Sequence, residues 1–311
     1  MIFTTILRER PFQRRQFLLS FADMNSVSQL RTLLVLGRVS NLPTVWSNCL
    51  AGWWLGGAGN FGKLPFLFLG MSLLYTGGMY LNDAFDVEFD RQRRQERPIP
   101  SGRISAARVW QLGLGQLALG ILLLAFCGPV AAVGAVVLAI VILLYDWTHK
   151  LFTASPWLMG ACRFWVYIIA GAAAADGLNG FAIFGGAALA LYVVGLSYVA
   201  RLEAFRGPVP FWPLLLLTAP VLIAFAMNLG INRPPVLWIS LVLGLWIVRC
   251  VRTVFVRGEP NAGWIASNLL AGIVLVDWLA VAPLLPSWLS AIVFLALLGL
   301  TKWLQKFVPA T

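Results

Sequence analysis

Long apolar runs separated by short polar or basic junctions repeat along this chain from about residue 38 to its end. Crossing a hydrocarbon core as a helix takes roughly 17 to 25 such residues. Ten segments approach that length: 38–57, 65–85, 106–127, 129–146, 157–176, 180–200, 211–229, 235–253, 263–283 and 286–305. The runs are continuous and rich in leucine and alanine, whereas a β-barrel would alternate apolar and polar positions over strands of about ten residues. A helix also satisfies every backbone amide within its own segment, as hydrocarbon demands. The pattern predicts an all-α polytopic membrane protein, with a single transmembrane domain over 31–311. Residues 1–30 stand apart. They carry four arginines and no apolar run long enough for a signal peptide, and read as a basic extension, disordered or interfacial.

Composition agrees, with 60% hydrophobic and only 11% charged residues and a mean hydropathy of +0.83, against roughly 25% charged in a soluble domain. The placement of charge adds orientation. Of the 23 lysines and arginines, twenty precede or open the first segment, gather at the junction after an even-numbered one or close the chain. Lys63 and Arg233 fall at the opposite junctions, and Arg163 lies inside the fifth segment. By the positive-inside rule the N-terminus and the even junctions face the cytoplasm, and a bacterial inner membrane is the expected setting. The net charge of +11 then belongs to topology and contact with anionic lipid, not to nucleic acid. Four scattered cysteines suggest neither a disulfide framework nor a zinc site, and a single histidine, His149, excludes a multi-histidine centre.

One polar stretch changes the picture. Between Tyr80 and Ser105, YLNDAFDVEFDRQRRQERPIPSGRIS holds five of the twelve acidic residues and five arginines, beside the end of an apolar segment. On a helix, Asn82, Asp86, Asp90 and Asp83 fall at about 0°, 40°, 80° and 100°, while Glu88 points away at about 240°. One face therefore offers oxygens, which suit a hard cation such as Mg²⁺ shared between carboxylates and the phosphates of a substrate. The plainer alternative is a solvated helix end with ion pairs such as Asp90 with Arg94. Three carboxylates on one face repel one another, however, and a cation would relieve them. The following loop, broken by Pro98, Pro100 and Gly102, can fold Arg91, Arg94, Arg97 and Arg103 back toward the same place, as a diphosphate would require.

NDAFDVEFD followed by RPIPSGRIS resembles the first aspartate-rich motif and trailing loop of the UbiA superfamily of intramembrane prenyltransferases, and most of the chain from about Arg38 fits. The resemblance implies a bundle of typically nine helices, where the apolar pattern offers ten, around a central cavity open to the cytoplasm and to lipid. It implies Mg²⁺, an isoprenyl diphosphate and transfer of the prenyl group to a lipophilic acceptor. By position, Asn82, Asp86 and Asp90 match the metal-binding residues, with Asp83 beside them. Arg38 and Asn41 in RVSNLP resemble the polar start of the family's first helix. Tyr145 and Lys150 in YDWTHK resemble its tyrosine and lysine after the fourth helix; Lys150 either contacts diphosphate or anchors the helix end. The second acidic motif departs from the family. The matching stretch is SYVARLEAF, where only Glu203 is acidic and Arg201 either stands in for a second cation or pairs with Glu203. Ser197, Tyr198, Arg201 and Glu203, with LMGACRFWVY around Arg163, look like the EboC-type branch.

Arg163 and Asp277 lie within apolar segments and should face the cavity or find partners, including one another; Asp277 is either structural or an orienting group or base near the acceptor. The implied chemistry is ionisation of an allylic diphosphate, with aromatic faces beside the carbocation. The acceptor class stays open among phenols, quinone precursors, polyols and polar lipid heads. A lipid or metabolite carrier on the same fold is the competing class, and a purely structural subunit leaves the acidic face unexplained.

Overall fold

The computed structural model of the chain describes residues 29–201, 211–228, 233–256, 262–285 and 287–310, and its regular structure there is helical. The helices are α1 (29–36), α2 (Leu42–Leu55), α3 (Leu64–Phe85), α4 (Val87–Arg93), α5 (Ala106–Ala125) and α6 (Pro129–Thr148). They continue as α7 (Pro156–Ala173), α8 (Gly180–Ala200), α9 (Trp212–Met227), α10 (Arg233–Val256), α11 (Ala262–Val281) and α12 (Ser287–Leu304). Each of the ten apolar runs corresponds to one of α2, α3 and α5 to α12. Among the described residues, six helices are long and apolar enough to cross a membrane: α3, α5, α6, α8, α10 and α11. The sequence leads to an expectation of nine or ten spans; the other four apolar runs form α2, α7, α9 and α12, which are not among these six. α2 has 14 residues, a rise of about 21 Å against a hydrocarbon core of about 30 Å, because the chain turns at Arg38 and passes through a 3₁₀ turn at Val39–Asn41 before the helix begins.

Local chemistry sets the boundaries. Proline occupies the first turn of α2, α3, α6, α7 and α9, where its missing N–H would lack a helical partner anyway. The Ser105 hydroxyl accepts from the Arg108 amide at the start of α5, and the Asn179 side chain accepts from the Ala182 amide at the start of α8.

Two buried apolar clusters share α2 and α7. One joins them to α8 through α12 around Tyr167, Tyr192, Leu269 and Phe294. The other joins them to α3, α5 and α6 around Cys49, Leu74, Leu124 and Leu138. The central pair packs closely: a Cβ on Gly52 would lie 2.9 Å from Ala170 Cβ, and one on Gly56 would lie 2.6 Å from the Gly171 carbonyl oxygen. Outward, Leu119, Leu122, Val133, Ile140, Leu222, Leu241 and Leu245 are exposed, a belt of apolar surface suited to lipid. The chain is an integral membrane protein.

Candidate active site

A cavity of about 670 Å³ opens between α2, α3, α6, α7, α8 and α11. Its body is apolar, with Val45, Met71, Leu74, Leu138, Val193 and Ile273 among its walls. Its polar end is built where α3 and α6 finish, α7 begins and α8 finishes, and there Arg38, Asn82, Asp86, Asp146, Lys150 and Arg201 converge, with Arg94 and Arg97 from the loop.

The oxygen face predicted from the sequence divides in two. Asn82 and Asp86, the pair near 0° and 40°, line the cavity. Asp90 and Asp83, near 80° and 100°, turn behind it to Arg97, whose Nη1 donates to both carboxylates at 3.0 Å. Arg97 reaches them because the proline loop folds back: Ser101 N donates to the Arg97 carbonyl, Arg103 N to that of Pro98, and Gly102 takes a φ of 75°. Arg38 closes the other side, its left-handed backbone (φ 43°) turning the chain so that Nη2 meets Asn82 Oδ1 at 3.2 Å and Asp83 Oδ1 at 3.3 Å. Glu88, on the far side as predicted, is exposed and paired with Arg91. Asp90 pairs with Arg97, not with Arg94. Arg103 donates to Ser101 and to the Glu96 carbonyl, away from the cavity lining.

Asp86 meets Lys150 Nζ at 2.7 Å and His149 Nε2 at 3.3 Å. Burial alone would raise its carboxyl, but the hydrogen bonds from His149 and Lys150 prevail and hold it below its ordinary value of 3.8. Lys150 also lies 3.8 Å above the Phe89 ring. The cations that relieve carboxylate repulsion here are thus side chains: Arg38, Arg97 and Lys150. Tyr145 lines the cavity and stacks on His149.

Asp146 is absent from the sequence expectations. It lies near the end of α6, 3% exposed, and Oδ1 accepts from Asn82 Nδ2 at 3.1 Å, while Oδ2 is buried without a partner. An acid inside an apolar span was the available signal; it stood between an aromatic pair that reads as an interfacial anchor. His149, known only as the lone histidine, belongs to the same corner.

The remaining expected residues divide by location. Arg201 lines the cavity and donates to Ser155 Oγ at 2.8 Å; Glu203, and with it the suggested Arg201 pairing, lies outside the described residues. Asn41 lines the cavity and donates to the Ala310 carbonyl. Tyr198 packs edge-on against Trp212, off the cavity wall. Arg163 does line the cavity, but it does not pair directly with Asp277: Asn48 stands between them, accepting from Arg163 at 2.6 Å and donating to Asp277 at 2.7 Å. Asp277 is fully buried behind the wall and also accepts from Ser47 and Tyr167.

Comparison with known proteins places this architecture. The model of the UbiA prenyltransferase family matches residues 40–264, well over half of the chain. The chain belongs to the UbiA prenyltransferase family. Relatives include the digeranylgeranylglyceryl phosphate synthase of Ignicoccus hospitalis, 36% identical over 127 residues, which are 41% of this chain and 42% of that protein. The protoheme IX farnesyltransferase of Alkalihalophilus pseudofirmus is 40% identical over 116 residues, 36% and 37% of the two chains. The chain thus matches less than half the length of these curated relatives. A solved structure described as giving insights into digeranylgeranylglyceryl phosphate synthase in membranes superposes over 82% of this chain and 98% of its own, with a TM-score of 0.59 at 23% identity. That likeness concerns the fold alone, and it covers more of the chain than the matched sequence segments.

Proposed function

We propose that this UbiA-family chain transfers a prenyl group, inside the membrane, from an isoprenyl diphosphate to a lipophilic acceptor. The observation that carries the reading is the polarity of one cavity: cations and oxygen ligands gather at one end, and the rest is apolar. A prenyl diphosphate has the same division. The allylic C–O bond breaks, its electron pair leaves with the diphosphate, and the acceptor nucleophile attacks the carbocation and loses a proton. Arg38, Arg94, Arg97, Lys150 and Arg201 surround the place where negative charge develops. The apolar walls keep water from the carbocation, and Tyr75 and Tyr145 bring aromatic rings, which attract cations, to the cavity lining.

The donor set fits Mg²⁺. Asn82 and Asp86 present hard oxygens to the cavity, and the buried oxygens Asp90 Oδ1 and Asp146 Oδ2 have no hydrogen-bond partner. Mg²⁺ commonly takes only one or two protein carboxylates and shares the rest of its coordination with water and phosphate. Bound there, Mg²⁺ would offset charge on the diphosphate oxygens. Asn82 and Asp86 would hold it from the cavity wall, with Asp90 behind them fixing Arg97. In this reading the fixed charge of Arg201 acts where a second cation would otherwise be needed.

The test is product formation. Purified protein is incubated with geranyl, farnesyl or geranylgeranyl diphosphate and a membrane lipid extract, and products are examined by mass spectrometry. Appearance of one prenyl unit on an extract component supports the reading. Loss of no donor and no prenylated product would favour the carrier.

A further inference from the structure

The acids at the polar end of the cavity are not equivalent. Asp83 meets Arg38 and Arg97, Asp90 meets Arg97, and Asp86 meets Lys150 and His149. Among the described residues, no lysine, arginine or histidine lies within ion-pair distance of the Asp146 carboxylate. It is nevertheless 3% exposed and forms part of the cavity wall. Asn82 Nδ2 fixes Oδ1 at 3.1 Å, leaving Oδ2 buried with no donor. An unmatched buried carboxylate oxygen is costly to retain, and its residue lines the same cavity as two further oxygen-bearing side chains, Asn82 and Asp86.

We infer that Asp146 is a ligand of a divalent hard cation, completing with Asp86 and with Asn82 Oδ1, whose other lone pair accepts from Arg38, an open oxygen site that bridges the ends of α3 and α6. The inference rests on the prenyl-transfer reading and deepens it. Asp90, the third acid expected from the sequence, is turned away onto Arg97, so Asp146 supplies the cavity-facing charge in its place. Two carboxylates and one amide oxygen leave coordination positions for water and diphosphate, the arrangement Mg²⁺ favours. The Asn82–Asp146 hydrogen bond then orients one ligand by another.

Binding of Mn²⁺, a spectroscopic substitute for Mg²⁺, tests this directly. Full-length protein in detergent is titrated with Mn²⁺ in the presence of inorganic diphosphate, and free ion is followed by electron paramagnetic resonance. Asp146→Asn should weaken Mn²⁺ binding at least tenfold, since even an outer-shell partner of a ligand is worth about 10- to 100-fold, while melting in metal-free buffer at the wild-type temperature, since the amide oxygen still accepts from Asn82. Should that variant melt early, Asp146→Ser is measured by the same pair of readouts, with the same loss expected. Wild-type affinity in a folded Asp146 variant, alongside loss in Asp86→Asn, overturns the inference and leaves the prenyl-transfer reading standing. No Mn²⁺ binding by the wild type overturns the inference and the metal-dependent part of that reading together.

Discussion

Arg97 shows how individual residues hold this site together. One guanidinium satisfies two carboxylates whose side chains are 9% and 2% exposed. Removing it leaves buried Asp90 without a cation and Asp83 with Arg38 alone, and Arg97→Ala should cost about 3 kcal/mol, measured as a lower melting temperature in detergent. Asp86 gives a pH dependence with a defined sign. Its folded carboxyl lies below the ordinary 3.8, so the unfolded chain binds more protons there, and the stabilisation is present above that value and lost as pH falls through the lowered folded one. Acid titration should therefore narrow the stability gap between wild type and Asp86→Asn below about pH 4, and a gap unchanged down to acid unfolding would refute the pairing with Lys150 and His149. At this scale the sequence was a partial guide. Helical spacing placed Asn82, Asp83, Asp86 and Asp90 on one flank, but its division between cavity and Arg97 depends on a loop that folds back, which spacing along one helix does not contain. Asp146 was missed for a related reason: its partner Asn82 lies 64 positions away, and nothing local to YDWTHK signals the pairing.

Elements were more legible, because lipid imposes a length and a polarity that each segment must meet by itself. All ten apolar runs are helices, with ends within a few residues of those expected. The differences lie where local backbone chemistry intervenes. The first run shortens to α2 because the chain turns left-handed at Arg38, and α1 (29–36) is too short to register as a span in the apolar pattern. Close contact between α2 and α7 is a property of the pair, visible only as small residues in each sequence. Gly52→Val should disrupt it, since even a Cβ would sit 2.9 Å from both Ala170 Cβ and the Tyr167 carbonyl oxygen. The expected loss is about 2 kcal/mol, read from thermal unfolding.

For the whole molecule, the central pair α2 and α7 joins two cores, and the cavity lies beside it with its charged end at one side of the bundle. The charge distribution predicts that this side is cytoplasmic. Cysteine introduced at Ser101, an exposed loop position next to the polar end, should react with an impermeant maleimide from the cytoplasmic face. One at Asn60, beyond the opposite end of α3, should react from the other face. The reverse pattern would invert the topology. The division of the cavity into charged and apolar parts also leads to the central claim, prenyl transfer with loss of diphosphate. The most direct test is diphosphate release by the purified protein with each isoprenyl donor and an acceptor-containing extract, with and without Mg²⁺, in wild type and Asp86→Ala. The account predicts Mg²⁺-dependent release that falls by at least about 100-fold in a folded Asp86→Ala protein. Equal release by the two proteins, or release indifferent to Mg²⁺, would contradict it.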